Sequence, residues 1–412
     1  MRVLISASTF PLHSNDGLPR FVFDLAQGLS NHAQVTVLAP HAPGALHQER
    51  MADVDVQRFT YFLPRSLQAL AYGHGIRDNL RASWWARLQP PGFILSQALA
   101  TRRLADRLGA AVVNSHWIIP QGLSTALARG ARRRFLHVLS VHAGDVYMLE
   151  ALPFGSALAR FVVSRSDEVM AVGTHVRDSL DALLGRPSGA TLQPMGAGVR
   201  SFREGPVEAS LGERFPQGYL LFLGRFSEKK GTVYLLRALP RVLQEYPGIG
   251  LVLIGYGVLE APLRSEAAAL GIEDSVVFAG RKTHEEIGGY LRGSRVAVVP
   301  SIVDSRGETE GMPTVVVEAL ASGARVVGSR VNGIPDVIRH RENGWLCEPK
   351  NPDDLAEKIL MALAEPDDSP IWTQAASTAD GLDWSAVAAH YARVFERLRE
   401  GSPRTPTGSE GT

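Results

Sequence analysis

GYLLFLGRFSEKKGTVYLLRALPRVLQEY, Gly218 to Tyr246, holds the arrangement that decides the fold. GYLLFLG is an apolar run of strand length, and Thr232–Tyr246 carries apolar residues at helical spacing. GRFSEKKG, Gly224 to Gly231, turns one into the other. A strand apolar at successive positions and followed at once by a helix is the unit of a parallel sheet covered on both faces. The unit recurs downstream in GLVLIG, SVVFAG, RVAVVP and ARVVG, separated by helical stretches such as Glu285–Arg292. Upstream, RVLIS, a helix over Leu18–Ser30 and QVTVLA make one βαβ unit, and VDVQRF, AAVVN, FLHVLSV and EVMAV extend the series. Pro194–Gly218, rich in Gly and charge, reads as the hinge between the two series. The fold class expected is α/β, with two doubly wound domains, 1–198 and 199–382, facing across a cleft. Ligands bind in such folds at the carboxyl ends of the strands. An amphipathic helix, 383–400, is expected to pack back on the first domain, followed by a disordered tail at 401–412.

A chain of 412 residues is too long for one hydrophobic core, and 45% hydrophobic with 21% charged residues suits a globular protein. The opening MRVLISASTF holds only a short apolar run, so neither a signal peptide nor a spanning helix is expected, and the expected location is cytoplasmic. The single cysteine, Cys347, excludes an internal disulfide or a thiolate cluster and reads as a small core residue. The net charge of +1 conceals an asymmetry: residues 1–200 hold 20 Arg, no Lys and 13 Asp+Glu, a net +7, against −6 for the remainder. Either this is chance variation in solvated faces, or the first half meets something anionic.

Polar residues at the strand ends are the candidates for chemistry. Arg225 and Lys230 lie in the strand-to-helix turn GRFSEKKG, where backbone N–H groups and the helix dipole favour an anion such as a diphosphate. The same turn read without function is a solvated surface loop. In ETEGMPTVVVEAL, Glu310 precedes a helix that Pro313 opens, Gly311 and Met312 offer amides at its N-terminus, and Glu318 lies inside it. Carboxylates beside amides supply the acceptors and donors that sugar hydroxyls need. In the first half, Gly17 stands in the first βα turn, and NSHWIIPQG and SVHAGD carry His116, His142 and Asp145 to strand ends. No Walker loop, GxGxxG turn, HExxH or clustered His/Cys pattern occurs, and the lone Asp-x-Asp, Asp53 to Asp55, reads as the solvent face of a strand. No metal, no cofactor and no nucleic-acid partner is expected.

GRFSEKKG, the spacing from Glu310 to Glu318, SRVNGIPDVI and ENGWLCEP together resemble the retaining, nucleotide-sugar-dependent glycosyltransferases of family 4, with the GT-B fold. EGMP…EA followed by ASGARVV is similar to bacterial members that build lipopolysaccharide and exopolysaccharide, and HWIIPQG and HAGDV point the same way. The resemblance implies that Arg225 and Lys230 bind the diphosphate of a UDP- or GDP-sugar donor and that Glu318 binds its ribose. It implies that Glu310, with the segment Gly311, Met312, Pro313 and Thr314 and its free backbone amides, holds the transferred sugar. Gly17 would close over the phosphates, and His116 would lie beside the reacting sugar and a glycan or lipid-linked acceptor. Two departures stand out: DGLPR replaces paired glycines in the first loop, and Asn332-Gly333 replaces a common Gly-Gly. An epimerase or a non-enzymatic sensor could use the same cleft.

Residues 64–107 separate two strands by far more chain than a crossover needs. They carry Arg65, Arg77, Arg81, Arg87, Arg102, Arg103 and Arg107 with Trp84, Trp85 and Phe93, and only Asp78 and Asp106 as acids. That composition suits an anionic membrane surface; a helical subdomain with its tryptophans in the core is the competing reading.

Overall fold

The computed structural model describes residues 1–8, 10–12, 20–72, 75–131, 133–208, 210–307, 309 and 311–401, with the side chains of Arg77 and Asp78 left aside. Its Val-, Leu- and Ile-rich runs form two sheets. In the first, β1 (Arg2–Ser6), β2 (Gln34–Pro40), β3 (Gln48–Met51), β4 (Val54–Phe59), β5 (Val112–His116), β6 (Leu136–Val141), β7 (Glu168–Ala171) and β8 (Thr191–Leu192) lie in the order β3-β4-β2-β1-β5-β6-β7-β8. The ladders from β4 through β7 are parallel, and β3 runs antiparallel to β4 as a short edge strand. In the second sheet, β9 (Tyr219–Leu223), β10 (Gly250–Ile254), β11 (Val276–Gly280), β12 (Val296–Val299), β13 (Arg325–Ser329) and β14 (Trp345–Cys347) follow the order β11-β10-β9-β12-β13-β14, with every ladder parallel.

The order reverses once in each sheet, between β1 and β5 in the first and between β9 and β12 in the second. At such a reversal the helices before and after it leave to opposite faces, which opens a crevice at the carboxyl ends of the two strands. Each unit therefore has its own defined place for a ligand.

Contacts divide the chain into two units: Met1–Ala171 with Leu180–Thr191 and the chain from Val387 onward, and Val172–Ser179 with Leu192–Ala386. The final helix, Trp384–Gly401, is held in the first unit by Tyr391, whose hydroxyl meets Ser140 Oγ at 3.0 Å, and by Arg397, which donates to Glu168 (2.6 Å). The chain beyond Gly401, expected to be a disordered tail, lies outside the described residues. Cys347 is buried in β14, and burial pushes its thiol up to about 12.

The stretch 64–107 resolves into two parts. Pro90–Leu108 is the crossover helix into β5, and its inner face, with Phe93, Ala98 and Leu104, joins the core of Leu4, Leu38, Phe59 and Tyr61. Phe93 is thus a core residue packed on Phe59 and Tyr61, with centroids at 5.2 and 5.0 Å, and not an interfacial ring. Only the chain before Pro90 exceeds what the crossover requires.

Candidate active site

The second unit gathers charge at its reversal. Leaving β9, the chain passes through Gly224–Gly231, makes a short turn at Glu228–Lys230, and enters helix Thr232–Glu245. Gly231 has φ +67°, and a Cβ there would stand 1.8 Å from the Pro300 carbonyl oxygen, so only glycine lets the loop press against the end of β12. Two further ties fix it: Ile302 N–H donates to the Lys229 carbonyl (2.9 Å), and the Glu228 carboxylate accepts from Ser305 N–H (2.8 Å) and Oγ (2.7 Å). The loop after β9 and the loop after β12 are one clamp.

Lys230 runs its stem along Gly224, and its ammonium is close enough to Glu318 to stabilise that carboxylate. Burial nevertheless dominates at Glu318, pushing its pKa up to about 7 against the Thr314 hydroxyl and the Lys230 charge. Arg225 is exposed and, among the described residues, has no side-chain hydrogen bond or ion pair. Ser227 Oγ and Ser301 Oγ in these two loops, and Thr232 Oγ1 at the start of the helix, are buried without partners.

The segment Asn332–Val337 underpins Gly311 and Met312. Gly333 N–H donates to the Gly311 carbonyl (2.7 Å), and a Cβ on Gly333 would come within 2.9 Å of that oxygen and of the Met312 side chain. Asn332 adopts φ +61°, a left-handed conformation that asparagine tolerates, and its Oδ1 accepts from the Thr309 hydroxyl. Asn332-Gly333 therefore serves where paired glycines would. Helix Thr314–Ala321 starts one residue later than Pro313 suggests, because Pro313 is its extended N-cap.

The first unit gathers neutral rings instead. His116 ends β5 and His142 follows β6, with 3.2 Å between His116 Nδ1 and His142 Nε2. Asp145, in the first turn of helix Ala143–Glu150, accepts from Ile118 N–H (2.6 Å) and His142 N–H (3.0 Å), fixing both strand ends. Phe21 and Trp117 pack on His142 at 5.3 and 5.1 Å between centroids. Burial holds His116 well below its ordinary range, with the neighbouring His142 adding to the effect, and lowers His142 to about 3. It also pushes Asp145 up to about 7, against the N–H groups that bond its carboxylate. His116 Nε2 is buried without a partner.

The glycosyltransferase family 4 description matches residues 15–196, and the glycosyl transferases group 1 description matches residues 208–378. The chain belongs to the family 4 glycosyltransferases. It is 34% identical over 182 residues to AmsK of Erwinia amylovora, an amylovoran biosynthesis glycosyltransferase; the match covers 43% of this chain and 44% of AmsK. The chain thus spans less than half of AmsK's length. An uncharacterized glycosyltransferase of Methanocaldococcus jannaschii is 26% identical over 333 residues, 80% of this chain and 87% of that one. Among solved structures, Anabaena HepE in complex with UDP superposes with a TM-score of 0.68 at 16% identity, covering 96% of this chain and all (100%) of that one. The chain has the GT-B fold.

The residues expected from sequence that the structure describes fall into three groups. The structure brings Lys230, Thr314 and Glu318 together, with Arg225 near the start of the Gly224–Gly231 loop that carries Lys230, and separately brings together His116, His142 and Asp145. Gly311, Met312 and Pro313 lie beside Asn332-Gly333 at the start of helix Thr314–Ala321. Gly17 and Glu310 lie outside the described residues. Reasoning from sequence missed Ser227, Thr232 and Ser301, small hydroxyls whose only signal is their place at strand-to-helix turns. It also missed Asp336, which accepts from Thr174 N–H (2.7 Å) within the second unit.

Proposed function

We propose that this chain is a retaining glycosyltransferase that moves a sugar from a UDP- or GDP-sugar to a glycan or lipid-linked acceptor, without a metal ion or other cofactor. The observation that carries this reading is the meeting of Lys230 and Glu318 at the reversal of the second sheet, with Arg225 exposed in the loop that carries Lys230. Breaking the bond between a sugar's anomeric carbon and a diphosphate leaves negative charge on the departing oxygen. Fixed cations lower the cost of that charge most when they are already in place. Arg225 and Lys230 are assigned to the diphosphate, and Glu318 to the ribose hydroxyls, which donate to its carboxylate.

The three unpartnered hydroxyls support an anionic guest. A buried polar group left unsatisfied costs about 1–3 kcal/mol, and phosphate oxygens are acceptors such hydroxyls can donate to. The amides of Gly311, Met312 and Thr314, with Pro313 fixing the helix entry and Glu310 beside them, are assigned to the transferred sugar, and Gly17 to the phosphates. His116, His142 and Asp145 are assigned to the acceptor side, where His116 Nε2 awaits a partner. No protein nucleophile is assigned: the acceptor oxygen bonds to the face from which the diphosphate leaves, and its proton passes to the leaving group.

Incubation with α-linked UDP- and GDP-sugars and a mixture of glycan and lipid-linked acceptors tests this. Sugar transfer with α configuration in the product, unchanged by EDTA, is expected. A β product overturns retention, and nucleotide binding without any transfer favours a sensor.

A further inference from the structure

The chain from the end of β4 through helix Pro90–Leu108 sends large apolar side chains outward. Leu63 is 74% exposed, Trp84 69%, Leu95 61% and Leu88 58%, and Leu67 and Leu99 are exposed beside them in sequence. Contacts fasten part of this stretch to the start of the helix. The Leu67 carbonyl accepts from Gln89 Nε2 (2.8 Å) and Trp85 Nε1 (3.2 Å), which fastens Leu67 to the start of the helix. Trp84 lies edge-on to half-buried Trp85, with centroids 5.4 Å apart, so its exposed indole is held in place. Along the helix, Leu95 and Leu99 are one turn apart on the outward face, and exposed Arg102 and Arg103 continue that face at the next turn.

Six large exposed apolar residues within 63–99 exceed what scattered surface hydrophobics explain, and such a patch marks an interaction site. Charge selects the occupant. Of the two acids in 64–107, Asp106 is already bonded to Arg134 (3.1 Å), while exposed Arg65, Arg87, Arg102 and Arg103 accompany the leucines. Two copies of this chain meeting face to face would set arginine against arginine. A lipid surface takes both components at once: leucines and an indole settle at the boundary of headgroups and acyl chains, and arginines reach phosphate oxygens. The geometry points to this face, from Leu63 to Arg103, as the surface by which the protein docks on an anionic bilayer. It lies on the bilayer and does not cross it, since among the described residues no helix is long and apolar enough to span a membrane. The inference does not depend on the reaction proposed above.

Sedimentation of the full chain with vesicles of phosphatidylcholine alone, and of equimolar phosphatidylcholine and phosphatidylglycerol, tests it at low and high salt. The protein is expected to pellet only with the anionic vesicles and to be released by salt. Arg102→Glu with Arg103→Glu weakens partitioning at least about fivefold per arginine removed. Trp84→Ser with Leu95→Ser and Leu99→Ser abolishes pelleting with thermal unfolding unchanged, because none of the three is buried; Leu95→Ser alone gives a smaller loss and serves if the triple variant misfolds. Absence of the wild type from the anionic pellet at low salt overturns the inference, as does full binding by a folded serine variant. Dimerisation in sedimentation velocity that those serines remove would assign the face to a second copy and also overturn it.

Discussion

The clamp around Lys230 and the ring cluster around His116 occupy equivalent places, each at the reversal of its own sheet, yet they are built in opposite ways. The first presents charge: Arg225 is exposed, and Glu318 balances burial against a neighbouring ammonium. The second removes it, since burial keeps both histidines neutral near pH 7 and raises Asp145 into the same range. The difference teaches that a parallel sheet supplies only the location. Whether that location serves a diphosphate or a neutral hydroxyl depends on how the flanking loops dispose of solvent.

Substitution separates the two regions. Arg225→Ala and Lys230→Ala are expected to lower turnover by about 10²–10³ each while leaving thermal unfolding nearly unchanged, because the loop's fixed contacts run through its backbone and Glu228. Activity within a few-fold of wild type breaks the diphosphate assignment. Asp145→Ala should act through stability, costing about 2–3 kcal/mol in denaturant unfolding, since it orphans the N–H groups of Ile118 and His142. A stability loss near zero would mean that those amides find other partners and that the cluster is not rigid.

A smaller effect sharpens the contrast through pH. A Glu318 raised from 4.5 to about 7 holds its proton longer in the folded state, so between those values the native chain binds more protons and stability falls as pH rises. Glu318→Gln should flatten that fall by about 1–2 kcal/mol between pH 5 and pH 8. The same carboxylate accepts ribose hydroxyls best when ionised, so nucleotide affinity should rise several-fold from pH 6 to pH 8 in the wild type and less in the variant. Identical profiles would remove Glu318 from the ribose. The smallest effect expected is that of EDTA, which should leave nearly all transfer activity; complete loss restored by Mg²⁺ or Mn²⁺ would show that the cations of the clamp do not suffice.

Both sheets are legible in the sequence because buried parallel strands are written as continuous apolar runs, such as LVLI and VAVV. The strands that escape notice lack that signal. In β3, QERM buries only Met51 and turns Glu49 to the guanidinium of buried Arg58 (2.9 Å), and β14 is three residues long. Arg225, Lys230 and Glu318 can be singled out from their turns and spacing, but the contact between Lys230 and Glu318 joins distant loops and has no local mark. Asp145 looks like a helix-start acid, which it is; its bond to Ile118 N–H depends on β5 and β6 being neighbours. The tryptophan pair shows the limit most plainly: adjacent and chemically alike, Trp84 is exposed and Trp85 half-buried, because only Trp85 reaches the Leu67 carbonyl.

Thermal unfolding of the wild type and of Lys230→Ala, each with UDP, GDP, ADP and the corresponding nucleotide sugars, tests the central claim most directly. At a hundredfold excess over the dissociation constant, a ligand bound only by the folded state stabilises it by about 2.7 kcal/mol. The account predicts that one nucleoside diphosphate and its sugars raise the unfolding temperature of the wild type and that this rise largely disappears in Lys230→Ala. No shift with any nucleotide, or an equal shift in both proteins, would contradict it.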